Sequence, residues 1–102
     1  MAKDSFLGFL GLTMKAGRVL YGAENVDTTR TELLLLAADA GGSARRNAAH
    51  LADKRKIVLI ETSFSKEELG QAIGKKPCAL LAVTGGGFDK RLTEIWDTVS
   101  RG

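Results

Sequence analysis

Leu33-Leu34-Leu35-Leu36-Ala37-Ala38-Asp39 is an unbroken apolar run closed by an acid. A strand with one wet face alternates apolar and polar residues, whereas a strand covered on both faces reads as continuous hydrophobicity. The run therefore predicts a strand inside a covered sheet. Ile57-Val58-Leu59-Ile60 and Ala79-Leu80-Leu81-Ala82-Val83 repeat the pattern and predict two more buried strands. Helical patterns separate them. Gly41-Gly42-Ser43 turns into a helix through Lys56, with Ala44, Ala48, Leu51 and Ala52 on one stripe. Ser65-Lys66-Glu67-Glu68 is a capping box that opens a short helix closing at Gly74. Thr84-Gly85-Gly86-Gly87 leads into a last helix with Phe88, Leu92, Ile95, Trp96 and Val99 on one face.

Upstream of the run, Asp4 or Ser5 caps a first helix that presents Phe6, Leu7, Leu10 and Met14, and Gly17 stands where a left-handed C-cap is wanted. Gly8 and Gly11 lower helix propensity, so both are expected to let this helix approach a neighbour closely. Val19 to Tyr21 reads as a short strand, and 23–31 as a short helix whose exposed start carries Glu24 and Asn25. Strands covered on both faces and alternating with helices imply an α/β chain folded as a three-layer α/β/α sandwich. The 102 residues hold no repeat, linker or low-complexity segment and predict one domain over 1–102.

Net charge is +3 with a pI near 9.2, which leans toward a polyanionic partner. The single Cys78 cannot form an internal disulfide and fits a reducing compartment as a small core or interface residue. The apolar stretch 6–12 is too short to span a bilayer and is followed by Lys15 and Arg18 without a small-residue cleavage pattern. A cytoplasmic protein with no membrane partner is expected.

The stretch 17–30 joins two glycines, a basic residue and short polar side chains, which suits hydrogen-bonding a partner. It holds no nucleophile–base pair, no metal-ligand cluster and no Walker-type glycine-lysine motif. The Gly85-Gly86-Gly87 turn lacks the spacing of a phosphate loop and reads as a connection. Asp39 is the most enzyme-like acid, since it ends a buried strand, but it stands alone; His50 reads as a solvated residue. Lys15, Arg18, Arg45, Arg46, Lys75 and Lys76 lie near predicted turns and form one phosphate footprint only if the fold gathers those turns at one end.

The order of motifs resembles a known family. Phe9-Leu10-Gly11-Leu12-Thr13-Met14-Lys15-Ala16-Gly17-Arg18-Val19-Leu20-Tyr21-Gly22, the 33–39 run, Glu68-Leu69-Gly70-Gln71-Ala72-Ile73-Gly74 and Ala82-Val83-Thr84 before a Gly-Phe helix stand in sequence over nearly the whole chain. Together they resemble the YlxQ-type bacterial members of the kink-turn-binding ribosomal-protein superfamily. The resemblance implies a ribosomal-protein-like sandwich with a four-stranded mixed sheet, and binding to kink-turn RNA. A non-enzymatic protein without cofactor or metal, acting as a monomer on structured RNA, either a kink-turn or ribosomal RNA, is expected. In that family a glycine opens the helix that enters the RNA groove, here Gly22, and polar residues after it read guanine edges, here Glu24, Asn25 and Thr28. A second loop packs beside an extruded base, here Lys75, Lys76, Pro77, Cys78 and Ala79. On an RNA-binding reading, Lys15, Arg18 and Lys75 are expected to contact phosphate. Strong kink-turn binders carry Gly-Ala-Asn-Glu and a lysine three residues beyond the glutamate. Here Glu24 and Asn25 are exchanged, Thr28 replaces the lysine, and Leu20 and Tyr21 replace residues that are often basic. These departures predict weaker or differently selective RNA binding. They also leave a second expectation, a protein-interaction module on the same fold that has lost specific RNA binding.

Overall fold

The computed structural model describes residues 2–21 and 30–101. Helix α1 is Ala2–Lys15, followed by β1 (Val19–Tyr21), β2 (Thr31–Leu36), α2 (Gly42–Arg55), β3 (Val58–Glu61), α3 (Lys66–Ile73), β4 (Leu80–Thr84) and α4 (Phe88–Arg101). The short helix expected over 23–31 falls largely outside the described residues; its expected last residue, Thr31, is the first of β2.

The sheet order is β1-β4-β2-β3, and the sheet is mixed: β4 runs antiparallel to both β1 and β2, and β3 runs parallel to β2. Two parallel neighbours need a crossover, which α2 supplies. Side chains alternate across a strand, so Leu33 and Leu35 face one side of the sheet and Leu34 and Leu36 the other. All four are buried, which accounts for the unbroken leucine run. Helices α1, α3 and α4 pack together over one face, while α2 packs on β2 and β3 as the other layer.

Strand β3 corrects the expectation of a second fully buried strand. It is an edge strand with a neighbour on one side only, and Val58 is 56% exposed. Ile60 alone among its residues is buried, and Glu61 is exposed. Four consecutive apolar residues cannot distinguish a central strand from an edge strand, because position in the sheet is set by pairing elsewhere.

The core under α1, α3 and α4 is aromatic. Phe6 and Phe64 have ring centroids 5.2 Å apart, and Trp96 meets both edge-on at 5.8 Å. Phe88 joins from α4 through Phe9, at 5.8 Å. Local signals close the helices as expected: Gly17 is left-handed (φ 75°), and its amide and that of Arg18 donate to Met14 and Thr13 carbonyls at 2.9 and 3.1 Å. The Ser65 hydroxyl accepts from the Glu68 amide at 3.1 Å while the Glu68 carboxylate accepts from the Ser65 amide at 3.0 Å. Gly74 ends α3 in the left-handed region.

Gly11 behaves as expected and Gly8 does not. A Cβ on Gly11 would stand 2.9 Å from the Ala72 carbonyl of α3, closer than real contacts allow, whereas nothing lies within 4 Å of one on Gly8. Only Gly11 serves close helix packing.

Candidate nucleic-acid interface

The 75–79 loop is held on three sides. Its first amide, Lys75, donates to the Gly70 carbonyl at 2.8 Å, the Cys78 amide donates to the Lys66 carbonyl at 3.1 Å, and the Ala79 carbonyl accepts from the Ala37 amide at 2.9 Å. Gly70 allows this docking, since a Cβ there would collide with the Lys76 carbonyl. The Cys78 thiol donates to the Lys76 carbonyl at 3.0 Å, and partial burial pushes its pKa above the ordinary thiol value.

This loop forms one wall of a cleft of about 850 Å³. Tyr21, at the end of β1, forms another, and α2 contributes Ala44, Asn47, His50 and Leu51. The Lys75 ammonium lies 5.3 Å from the centroid of the Tyr21 ring, within cation–π range. The cleft thus combines an aromatic ring, aliphatic walls, an amide, an imidazole and two lysines. Such a set can hold a flat aromatic group and an adjacent anion.

Of the residues expected in a binding site, Lys75, Lys76, Pro77, Cys78 and Ala79 are brought together here. Gly22, Glu24, Asn25 and Thr28 lie outside the described residues. Lys15 and Arg18 are not at this cleft: Val19 pairs with Val83 and Tyr21 with Leu81, so the start of β1 adjoins the end of β4, one strand length from the loop that precedes Leu80. Arg45 is engaged by its own fold, donating to the Ala38 carbonyl at 2.6 Å and pairing with Glu61 at 3.2 Å. The expected basic set is therefore divided between the two ends of the sheet.

The α2 wall was missed by sequence reasoning. Asn47 and His50 are three apart, on the side of α2 next to Ala44 and Leu51, so helical periodicity carried a signal. What covers that side required the structure.

Asp39 has a structural partner: its Oδ1 accepts from the Lys66 amide at 2.8 Å, tying the turn after β2 to the start of α3. The Gly85-Gly86-Gly87 turn stands at the opposite end of the sheet from Asp39, because Thr31 pairs with Thr84 while Leu36 pairs with Leu80. Asp39 and the glycine turn therefore do not converge on one site. Among the described residues, no group of three or more His, Cys, Asp or Glu is placed to hold a metal, and no helix is long and apolar enough to cross a membrane.

Residues 4–93 match the model of the ribosomal protein L7Ae/L30e/S12e/Gadd45 family. The chain is 28% identical over 101 residues to the RNA-binding protein YlxQ of Bacillus subtilis (strain 168), covering 95% of this chain and 100% of that protein. Among solved structures it is similar to a Bacillus halodurans protein of unknown function, with a TM-score of 0.84 and 26% identity over 92% of this chain and 98% of the other. It also shares its fold with the Giardia lamblia 15.5kD RNA binding protein, with a TM-score of 0.67 and 19% identity over 98% of this chain and 88% of that one.

Proposed function

This chain belongs to the ribosomal protein L7Ae/L30e/S12e/Gadd45 family, and we propose that it is a non-enzymatic protein that binds structured RNA and favours a sharply bent, kink-turn-like conformation. A protein that binds one RNA conformer better than another shifts the population toward it without doing chemistry. The observation that carries the reading is the cleft between Tyr21, the 75–79 loop and α2. RNA is recognised largely through unstacked bases laid against aromatic and apolar side chains, with hydrogen bonds to their edges. The Tyr21 ring and Leu51 offer such a surface, Asn47 and His50 offer edge contacts, and Lys75 and Lys76 offer charge for the neighbouring phosphate. Glu24, Asn25 and Thr28 follow Tyr21 in the chain, and we assign them the guanine edges beside that base. The likeness to the RNA-binding protein YlxQ along the whole chain supports the same partner class.

The second reading is a protein-interaction module on this fold. It is favoured by the division of the basic set, which leaves Lys15 and Arg18 away from the cleft. One experiment separates the two. Binding is measured to a short kink-turn RNA and to the same RNA with its G·A pairs replaced, each across a salt series. Tight binding that disappears on replacement is the expected result. Equal, steeply salt-dependent binding to both would leave only phosphate contact, and no binding at moderate salt would favour the protein-interaction module.

A further inference from the structure

Strand pairing sorts the charged residues into two unlike ends. At the end bearing the cleft, Arg45, Arg46, Lys66, Lys75 and Lys76 are offset by Asp39, Glu61, Glu67 and Glu68, and Arg45 is already paired with Glu61. At the other end stand the start of β1, the end of β4 and the starts of β2 and β3, since Val19 pairs with Val83, Thr31 with Thr84 and Leu33 with Val58. Just outside these strand ends lie Lys15, Arg18, Arg30, Lys54, Arg55 and Lys56. Among the described residues, the nearby acids are Glu32, Asp53 and Asp89. Lys90, in the first turn of α4, adds a further cation.

These cations are available. Lys15, Arg30, Lys54, Arg55 and Lys56 are exposed, and none of the six makes an ion pair among the described residues. Arg18 is half-buried, with its guanidinium against Gly86. The dipole of α2 accounts for cations at its own C-terminus. It does not account for Arg18 beside β1 or Arg30 before β2.

We propose that this end of the sheet is a second nucleic-acid surface, which grips the phosphate backbone of an RNA stem independently of base sequence. In the sheet order, Arg18 lies at one edge, Arg30 two strands in, and Lys56 at the other edge. Three inter-strand spacings make a row ~14 Å long, enough to meet successive phosphates of one strand. The row is of long, flexible cations, and Phe88 at this end is packed on Phe9 against the core, which suits the backbone rather than bases. The cleft reads a bent loop at one end of the sheet while the basic end holds a flanking stem at the other. This inference rests on RNA being the partner and adds a grip on the flanking stem to the local phosphate contact that Lys75 and Lys76 offer at the cleft.

The test uses the full chain with Lys54→Gln/Arg55→Gln and, separately, Arg30→Gln, changes on exposed side chains in two different elements. Folding is verified by thermal denaturation. Each variant is titrated with the kink-turn RNA and its G·A-replaced form across a salt series. Both variants are expected to weaken binding to the two RNAs by the same several-fold factor and to make log K less steep in log salt, by up to about 0.9 for each phosphate no longer neutralised. The ratio between the two RNAs should not change. An unchanged salt slope in both variants, or no binding of either RNA by the unaltered protein at low salt, would overturn the proposal. Failure of the kink-turn reading is distinguishable, because it appears as an absent ratio between the RNAs in the unaltered protein while the shared slope still responds to these substitutions.

Discussion

Gly70 has room for a hydrogen and nothing more. Its position under the Lys75 and Lys76 carbonyls lets the 75–79 loop lie on α3, and any side chain there must push the loop away. Gly70→Ala is expected to destabilise the fold by about 1–3 kcal/mol, the range for overpacking a filled site. Urea unfolding would measure this, and weaker RNA binding should accompany it because the displaced loop is one wall of the cleft. Cys78, in the same loop, provides a pH test. Burial raises its thiol pKa, so the folded state favours the neutral thiol more than the unfolded chain does. Its contribution to stability is fully present below the unfolded thiol pKa and is lost as pH rises through the folded one. Alkylation of folded protein by iodoacetamide should accelerate at a higher pH than alkylation of the urea-unfolded chain; coincident profiles would contradict the burial argument.

Helix α1 carries two glycines with opposite meanings, visible only when its neighbours are known. Gly11 faces the Ala72 carbonyl of α3, and Gly8 faces open space. Replacing Gly8 by alanine removes backbone entropy from the unfolded chain without a clash and should stabilise the protein by about 0.5–1 kcal/mol. Gly11→Ala should destabilise it, because helix α1 would have to lift from α3. Thermal denaturation of both variants gives the two signs, with roughly 4–8 °C per kcal/mol for a domain of this size. The same element logic explains Asp39: a carboxylate on the Lys66 amide at 2.8 Å joins the turn after β2 to the start of α3, a structural role that needs no substrate.

At the scale of the molecule, one aromatic group ties three helices to each other. Phe6 of α1, Trp96 of α4 and Phe64 before α3 meet within 5.2–5.8 Å, and Phe6 and Phe64 are essentially inaccessible to solvent. Phe64→Ala is expected to cost about 3–5 kcal/mol, a large share of the roughly 5–15 kcal/mol that holds an ordinary domain together. Trp96 fluorescence followed in urea would report it, since Trp96 packs on the deleted ring. A destabilisation below about 1 kcal/mol would mean that the helical layer closes over the cavity. The two ends of the sheet also belong to this scale: the cleft and the basic end face different parts of a partner, and their contributions are read in different quantities, a ratio between RNAs and a salt slope.

Local chemistry alone determined much of this protein. The doubly covered β2 and β4, the capping box at Ser65, the glycine caps at Gly17 and Gly74 and the amphipathic last helix all follow from short-range patterns, because each depends on residues within a turn or a strand of one another. A binding role for the 75–79 loop, by contrast, came from the family resemblance and not from local chemistry, and it stands as a proposal. What only the tertiary structure decided is long-range pairing. The order β1-β4-β2-β3 puts β3 at an edge despite its apolar sequence and brings Tyr21 and α2 to the 75–79 loop. It also carries Lys15 and Arg18 away from that loop to join Arg30 and the end of α2, because direction and register in a sheet are fixed by partners distant in the chain.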